Sequence, residues 1–370
     1  MHVAIVVHDF NLNFGQGRYC VEIVRRLARR CQITVIANSP VPQPIEGVQF
    51  RRVRALRRHA FTTVLSIIPG AEMAVRQSGC DIIHAQGLTS WSADIITGHI
   101  CNAARAKAAD TGDRRSRWFM RLIIPLERAF YRQHRARHLI AISRALEREV
   151  QTEYGWNRDS TVIHHGTDTT VFKPAADPAE RARLRQRFKL PPAEWTWLFM
   201  GEAVKGLRQV ITALPAFPEA HLLVVSRSDF SSYRRLADQL GVTGRIVFHG
   251  FEAHPEEAFR AVDVFVYPSA YDPFGMVASE AMATGLPVIV GRDIGAAELV
   301  QPGESGLLCD PADEKSIRAA LTQLRQTPAL ARRLGENGRR TILEVSWDHC
   351  ADRTYAVYEQ VHAQMRAARS

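Results

Sequence analysis

The sequence predicts an α/β protein of two doubly wound, Rossmann-like domains facing a central cleft. Three observations carry this expectation: a length of 370 residues, a recurring alternation of short apolar runs with helical segments, and a proline-marked break near the middle. A single core rarely grows past roughly 250–300 residues, so a chain of this length is expected to divide. The apolar runs of the first half are "HVAIVV" (2–7), "QITVIA" (32–37), "VQFRRV" (48–53), "DIIHA" (81–85), "HLIAIS" (138–143) and "TVIHH" (161–165). After the break at "FKPAADPAE" (172–180) come "TWLFMG" (196–201), "HLLVVS" (221–226), "RIVFHG" (245–250), "DVFVYPS" (263–269) and "PVIVG" (287–291). Runs that are apolar throughout, and not at every second residue, belong to parallel sheets covered on both faces. The expected domains are 1–174 and 175–345, with a C-terminal helix over 346–370 packing back toward the first.

Composition narrows the class. Apolar residues make up 46% and charged residues 23%, as in an ordinary globular chain. The six cysteines (Cys20, Cys31, Cys80, Cys101, Cys309, Cys350) are scattered, with no CxxC pair. That favours a reducing, cytoplasmic setting without disulfides or structural zinc. "MHVAIVVHDF" has too short an apolar run and no basic leader, so it reads as a buried first strand and not as a signal peptide. No stretch reaches the roughly 18 apolar residues of a membrane-spanning helix. Charge is uneven: residues 1–190 hold 30 Lys+Arg against 16 Asp+Glu, or +14, and the remainder 18 against 22, or −4. Only the N-terminal half is therefore expected to meet an anionic partner.

In doubly wound sheets, ligands bind where strand ends lead into helix N-termini. The first strand runs into "HDFNLNFGQGRYCVEIV", where Gly15 and Gly17 open an amphipathic helix. Their backbone N–H groups could face an anion, although a tight strand-to-helix turn needs glycine in any case. The dinucleotide spacing GxGxxG is absent, because its third position falls on Cys20. "TWLFMGEAVKGLRQV" repeats the arrangement in the second half, with Lys205 and Gly206 at the turn. Lys205 is either a mobile cation beside a bound phosphate or a solvated surface lysine. "YDPFGMVASEAMATG" (271–285) then carries two acids eight residues apart. On one helix they would lie about 80° apart, on distinct faces. Asp272-Pro273 reads as an N-cap followed by Pro at the first helical position. Glu280 falls among small apolar residues, where an unpaired carboxylate costs several kcal/mol, so it calls for hydroxyls or cations.

Together these segments resemble the retaining glycosyltransferases of family 4, over nearly the whole chain. The resemblance rests on "FGQGRY", "DIIHAQG", "TGHICN", "LERAFYRQHRARHLIAIS", "VIHHGTDTTVFKP", "MGEAVKGL", "RIVFHGF", "GAAELVQPGESGLLCDPAD", "LARRLGENGRR" and "SWDHCADRTYAVYEQV", all in order. The family hallmark of two glutamates separated by seven residues appears as Asp272, seven residues, Glu280. The resemblance implies the GT-B fold, with an acceptor-binding first domain and a nucleotide-sugar-binding second domain. It implies that Glu280 binds the ribose hydroxyls, that Asp272 contacts donor-sugar hydroxyls, and that Lys205 neutralises the leaving diphosphate. The N–H groups of Gly275, Met276 and Val277 would lie near the sugar and distal phosphate. Gly15, Gln16 and Gly17 would close on the diphosphate, and His99 would lie beside the anomeric carbon. Residues 249–252, with Phe251, would hold the base. Neither metal nor other cofactor is implied, and no protein nucleophile. Four positions depart from the pattern: Asp272 stands for Glu, Glu202 for a frequent Arg, His165 for Asn, and Phe14 for a loop glycine.

Residues 114–138 carry eight arginines and one glutamate, together with Trp118, Phe119, Leu122, Ile123, Phe130 and Tyr131. This suits a helix on an anionic membrane surface, kinked at Pro125, with Arg114, Arg115, Arg117, Trp118 and Arg121 as membrane or acceptor contacts. The plainer reading is a packed helix with a solvated arginine face. "RRVRALRRHA" (51–60) adds a second basic cluster, and no nucleic-acid module is recognisable. Similarity to lipopolysaccharide-core glucosyltransferases of the family implies transfer of a hexose, glucose from UDP-glucose, to a lipopolysaccharide core or other lipid-linked glycan. The expected setting is the cytoplasmic face of the cell membrane. The alternatives are a sugar-nucleotide epimerase of the same architecture and a non-catalytic sugar-nucleotide-binding partner.

Overall fold

The computed structural model describes residues 1–12, 15–39, 44–56, 58–108, 114–133 and 135–368, excluding the side chains of Ala60, Arg114, Arg115 and Ser116. The chain forms two compact units, one of Met1–Gly166 with Trp347–Ser370 and one of Thr167–Ser346. The division falls ahead of the proline-rich stretch, not within it. Thr167 decides this: its N–H donates to Val345 O at 3.0 Å and its hydroxyl to Ser279 Oγ at 3.0 Å, tying the segment after Gly166 into the second unit.

The first unit contains strands β1 (His2–Val7), β2 (Gln32–Ala37), β3 (Val48–Arg52), β4 (Ile82–Gln86), β5 (Ile95–Gly98), β6 (His138–Ala141) and β7 (Asp159–Val162). They form one parallel sheet in the order β3-β2-β1-β4-β5-β6-β7. Val3 to Val7 are fully buried, as continuous apolar strands covered on both faces should be. The helix Trp347–Ala367 packs on the helix Gly15–Leu27 within this unit, with ion pairs Arg26–Asp348 at 2.8 Å and Arg30–Asp352 at 2.7 Å at its rim.

The second unit contains β8 (Thr196–Met200), β9 (His221–Val225), β10 (Ile246–His249), β11 (Val264–Tyr267), β12 (Val288–Gly291) and β13 (Leu307–Cys309). These too are all parallel, in the order β10-β9-β8-β11-β12-β13. In each sheet the strand order reverses once, between β1 and β4 in the first and between β8 and β11 in the second. Loops leaving those strands diverge to opposite faces of the sheet and leave a crevice at its carboxyl edge.

Strands β5 and β13 do not stand out in the sequence. They span four and three residues, and no helix separates β4 from β5. Strand β7 also begins two residues before the run "TVIHH" and ends at Val162, leaving His164 and His165 in the loop beyond.

Candidate active site

In the second unit, the loops leaving β8 and β11 bring a lysine and an aspartate together. After β8 the chain enters a short 3-10 turn, Ala203–Lys205, and then Gly206 at φ 110°. A Cβ on Gly206 would lie 2.6 Å from the Pro268 carbonyl oxygen, so only glycine lets the lysine turn lie against the exit of β11. Ser228 Oγ, from the loop after β9, accepts the Ala203 N–H at 3.0 Å and fixes the turn from the other side. Lys205 Nζ thereby meets Asp272 Oδ2 at 2.9 Å. The same carboxylate accepts the Tyr267 hydroxyl at 2.8 Å and the Phe274 N–H at 3.2 Å. Burial first, and the Asp272 charge second, hold the Tyr267 phenol well above its ordinary range, so it stays a proton donor at neutral pH.

Asp272 is not the helix cap that Asp-Pro suggests. The helix spans Met276–Ala283 and its N-cap is Gly275, in the left-handed region at φ 86° and ψ 57°. Asp272 instead closes the turn that delivers the chain to Gly275, which leaves the first N–H groups of the helix without intrahelical acceptors. Glu280 sits one turn further in and is 5% exposed. Phe251, beyond β10, is 59% exposed, and the Arg227 guanidinium lies 4.0 Å over its ring. Beneath it, buried Glu252 accepts from Arg187 at 2.8 Å and from the His254 N–H at 2.9 Å, pinning the segment. In strand order β10, β9, β8, β11, the carboxyl edge thus presents an aromatic ring, a stacked arginine, a lysine and its aspartate.

In the first unit, β1 leads into Gly15–Leu27. A Cβ on Gly17 would lie 2.5 Å from the Asn11 carbonyl oxygen, so the turn itself requires this glycine. Gln16 Nε2 donates to Gln86 O at 2.9 Å, tethering the helix start to the end of β4. His99, just past β5, contacts Gln86 Oε1 through Nε2 at 2.8 Å. Around it pack Tyr19, with ring centroids 5.1 Å apart, and His165 at 5.9 Å, and His165 stacks on Trp347 at 6.0 Å. The His99 ring is enclosed by these neighbours even though the residue keeps some surface, and burial pushes its imidazole down to about 3. His165 is driven well below the ordinary value, first by burial and then by His99. The cluster is therefore neutral at physiological pH.

The family model "Glycosyltransferase Family 4" matches residues 15–171, and "Glycosyl transferases group 1" matches residues 180–341. The chain is a glycosyltransferase of the GT-B fold. Among its relatives, the D-inositol 3-phosphate glycosyltransferase of Thermomonospora curvata is 28% identical, over 93% of this chain and 90% of the relative. The lipopolysaccharide core biosynthesis glycosyltransferase LpsE of Rhizobium meliloti is 31% identical over 52% and 55%. Among solved structures, WaaG, a glycosyltransferase involved in lipopolysaccharide biosynthesis, superposes with a TM-score of 0.81 at 18% identity, covering 96% of this chain and 99% of that one. At that identity the likeness speaks for the fold alone.

Within this glycosyltransferase, Lys205, Asp272, Glu280, Gly275, Met276 and Val277 belong to one end of the second sheet, and Phe251 to the same carboxyl edge. Gly15, Gln16, Gly17 and His99 belong to the matching edge of the first sheet. Sequence reasoning missed Tyr267, Ser228, Arg227 and Gln86. Their one local signal was position, since each sits at or just past the end of a strand. Phe14 lies outside the described residues.

The arginine-rich segment is a helix, Arg114–Arg132, continuous through Pro125. Ile123, Phe130 and Tyr131 are 2%, 0% and 2% exposed, so three of the apolar residues offered to a membrane belong to the core. Glu127, also buried, accepts the Asn102 amide at 2.7 Å and the Tyr154 hydroxyl, fastening the helix inward. Arg117, Trp118 and Arg121 are exposed, and Trp118 meets Phe61 edge-on at 6.0 Å. The side chains of Arg114 and Arg115 lie outside the described residues. Among the described residues, no helix is long and apolar enough to cross a membrane.

Proposed function

We propose that this glycosyltransferase moves a hexose, glucose from UDP-glucose, with retention of configuration and without a metal, onto a lipopolysaccharide core or other lipid-linked glycan at the cytoplasmic membrane face. The observation that carries the donor reading is the Lys205–Asp272 pair at the switch point of the second sheet, 2.9 Å apart and beside the open helix start at Gly275–Val277. Breaking the bond from the anomeric carbon to the diphosphate puts negative charge on the leaving group. A cation and helix N–H groups aimed there stabilise the transition state more than the ground state. Asp272 holds Lys205 at 2.9 Å. On donor arrival the ammonium turns to the diphosphate, and the released carboxylate is left for sugar hydroxyls. Glu280 takes the ribose hydroxyls, and Phe251 with Arg227 the base. Gly15, Gln16, Gly17 and His99 supply the contacts of the first unit. The acceptor oxygen bonds to the anomeric carbon as UDP departs, and its proton goes to the departing diphosphate.

The acceptor reading is supported by the similarity to LpsE, a lipopolysaccharide core biosynthesis glycosyltransferase, and by the exposed Arg117, Trp118 and Arg121. With Phe61 and the exposed Leu56 and Leu65 they combine cationic and apolar groups, as an anionic lipid surface requires. A thermal-shift screen over UDP-, GDP- and ADP-sugars tests the donor. A shift with UDP-glucose, and glucose transfer to a lipid-linked acceptor followed by mass spectrometry, are expected. A larger shift with a GDP- or ADP-sugar would overturn the donor assignment.

A further inference from the structure

Four polar side chains of the first unit form a buried chain behind His99. His84 and Gln86 are two residues apart on β4, so their side chains share one face of the sheet. Both are fully buried. Gln86 Oε1 contacts His99 Nε2 at 2.8 Å, and Gln86 Nε2 contacts His84 Nε2 at 3.2 Å. His84 Nε2 also meets the Thr97 hydroxyl at 2.7 Å, and its Nδ1 meets the Tyr358 hydroxyl at 2.7 Å. An amide oxygen only accepts and an amide nitrogen only donates. With the Gln86 amide oxygen on the His99 side, His99 carries its proton on Nε2, and His84 Nε2 carries a lone pair that receives Gln86 and Thr97. His84 Nδ1–H then donates to Tyr358. The hydroxyls of Thr97 and Tyr358 close the chain in either direction, so the orientation of the one Gln86 amide sets the proton position on both histidines, and the reversed amide would put the His99 proton on Nδ1. The backbone of the same Gln86 accepts Gln16 Nε2 at 2.9 Å, so one residue holds both the helix start and the histidine.

We propose that Gln86 is a positioning residue: it locks His99 in the Nε2–H tautomer, leaving Nδ1 unprotonated as a hydrogen-bond acceptor for a hydroxyl of the substrate. This rests on the proposed placement of His99 at the donor sugar. A neutral acceptor suits a hydroxyl partner and does not add a second cation at the developing oxocarbenium charge. Burial keeps the ring neutral, and the groups around it, Tyr19, His165 and His84 through Gln86, bring no charge of their own at neutral pH.

The tautomer is read directly, without any substrate, from the ring ¹⁵N shifts of His99 in the full chain, assigned with a His99→Asn variant. The expected result is a protonated Nε2 and an unprotonated Nδ1 over pH 5–8. A protonated Nδ1 would overturn the proposal whatever the enzyme transfers. Gln86→Leu is expected to mix the two tautomers and to lower kcat on the order of 10²-fold, the scale of a small misplacement at a reacting centre, with KM moving less. Gln86→Glu is expected to keep the Nε2–H bond but to raise the His99 pKa toward or above the ordinary value, because a carboxylate favours the charged ring. The acid limb of its pH–rate profile then moves up by a matching amount. A merely structural Gln86 would leave that limb in place, and this result would overturn the positioning role. If the wild-type tautomer is as expected but His99→Asn keeps full transfer, the placement of His99 fails separately, and the substrate half of the proposal falls with it.

Discussion

The two units share a topology and use it oppositely. Each is an all-parallel sheet with one reversal of strand order, and each gathers its chemistry-bearing residues at or beside that reversal. In the second unit those residues are charged and paired, Lys205 with Asp272, in a body of 21 Lys+Arg against 22 Asp+Glu, or −1. In the first they are neutral rings and amides, His99, His84 and Gln86, in a body of 27 against 16, or +11. A strongly cationic body thus keeps the His99 cluster itself uncharged, with Arg18 close enough to act on His165, and a nearly neutral one places a fixed ion pair at its candidate site. The difference shows that net charge and site charge answer to different needs. Long-range charge steers a partner to a surface, whereas a site needs local charge only where the reaction develops it.

The contrast can be broken hardest at the lysine turn. Gly206→Val puts a β-branched residue at φ 110° with its Cβ against the Pro268 carbonyl. A loss of about 3 kcal/mol, confined to the second unit, is expected. Hydrogen exchange read peptide by peptide would show faster exchange in 196–300 and little change in 1–100; uniform loosening would contradict the separation.

Acid should act mainly on the other side. His84 and His99 have folded values of about 3, against 6.5 for a free histidine. Between those values the unfolded chain binds more protons, so stability falls as pH drops from 6.5 toward 3. For fully buried His84 the loss at pH 5 is about 2 kcal/mol. Exchange at pH 7.5 and pH 5, corrected for intrinsic rates, should therefore quicken most in β4, in β5 and in the loop after β7 that carries His165.

Much of this contrast was legible in advance, and what was not has identifiable causes. Strands such as Val3–Val7 announce themselves because burial on both faces demands unbroken apolar sequence. Ile95–Gly98 and Leu307–Cys309 carry too few residues to show any period. Asp272-Pro273 mimics a cap because the left-handed φ that moves the helix start to Gly275 leaves no local trace. The Lys205–Asp272 pair spans 67 positions, and only the resemblance placed those two residues in one site. The Gln86–His99 contact depends on β4 lying beside a four-residue strand that the sequence hides.

Two smaller effects sharpen the comparison. Reversing Arg117 and Arg121 together to Glu removes at least about 2 kcal/mol of attraction to an anionic surface, on the order of 30-fold in vesicle binding. Neutral vesicles should show no such change, and equal binding to both vesicle types in the wild type would remove the membrane part of the proposal. Asp272→Glu should have the least effect, a few-fold change in rate or donor preference. The longer side chain can still reach Lys205 but disturbs the 3.2 Å bond to the Phe274 N–H. Unchanged kinetics would reduce Asp272 to a residue that merely shapes the turn.

The most direct test of the charged site is donor hydrolysis without acceptor, measured as UDP release from UDP-glucose by the wild type and by Lys205→Ala. Loss of one electrostatic contact to the leaving group predicts a fall in kcat of roughly 10²–10³-fold. The melting temperature should fall only modestly, because the buried Asp272 carboxylate keeps the Tyr267 hydroxyl and the Phe274 N–H as donors. Equal hydrolysis by both proteins would contradict the assignment of Lys205 to the diphosphate, and with it the reading of the second unit as the donor site.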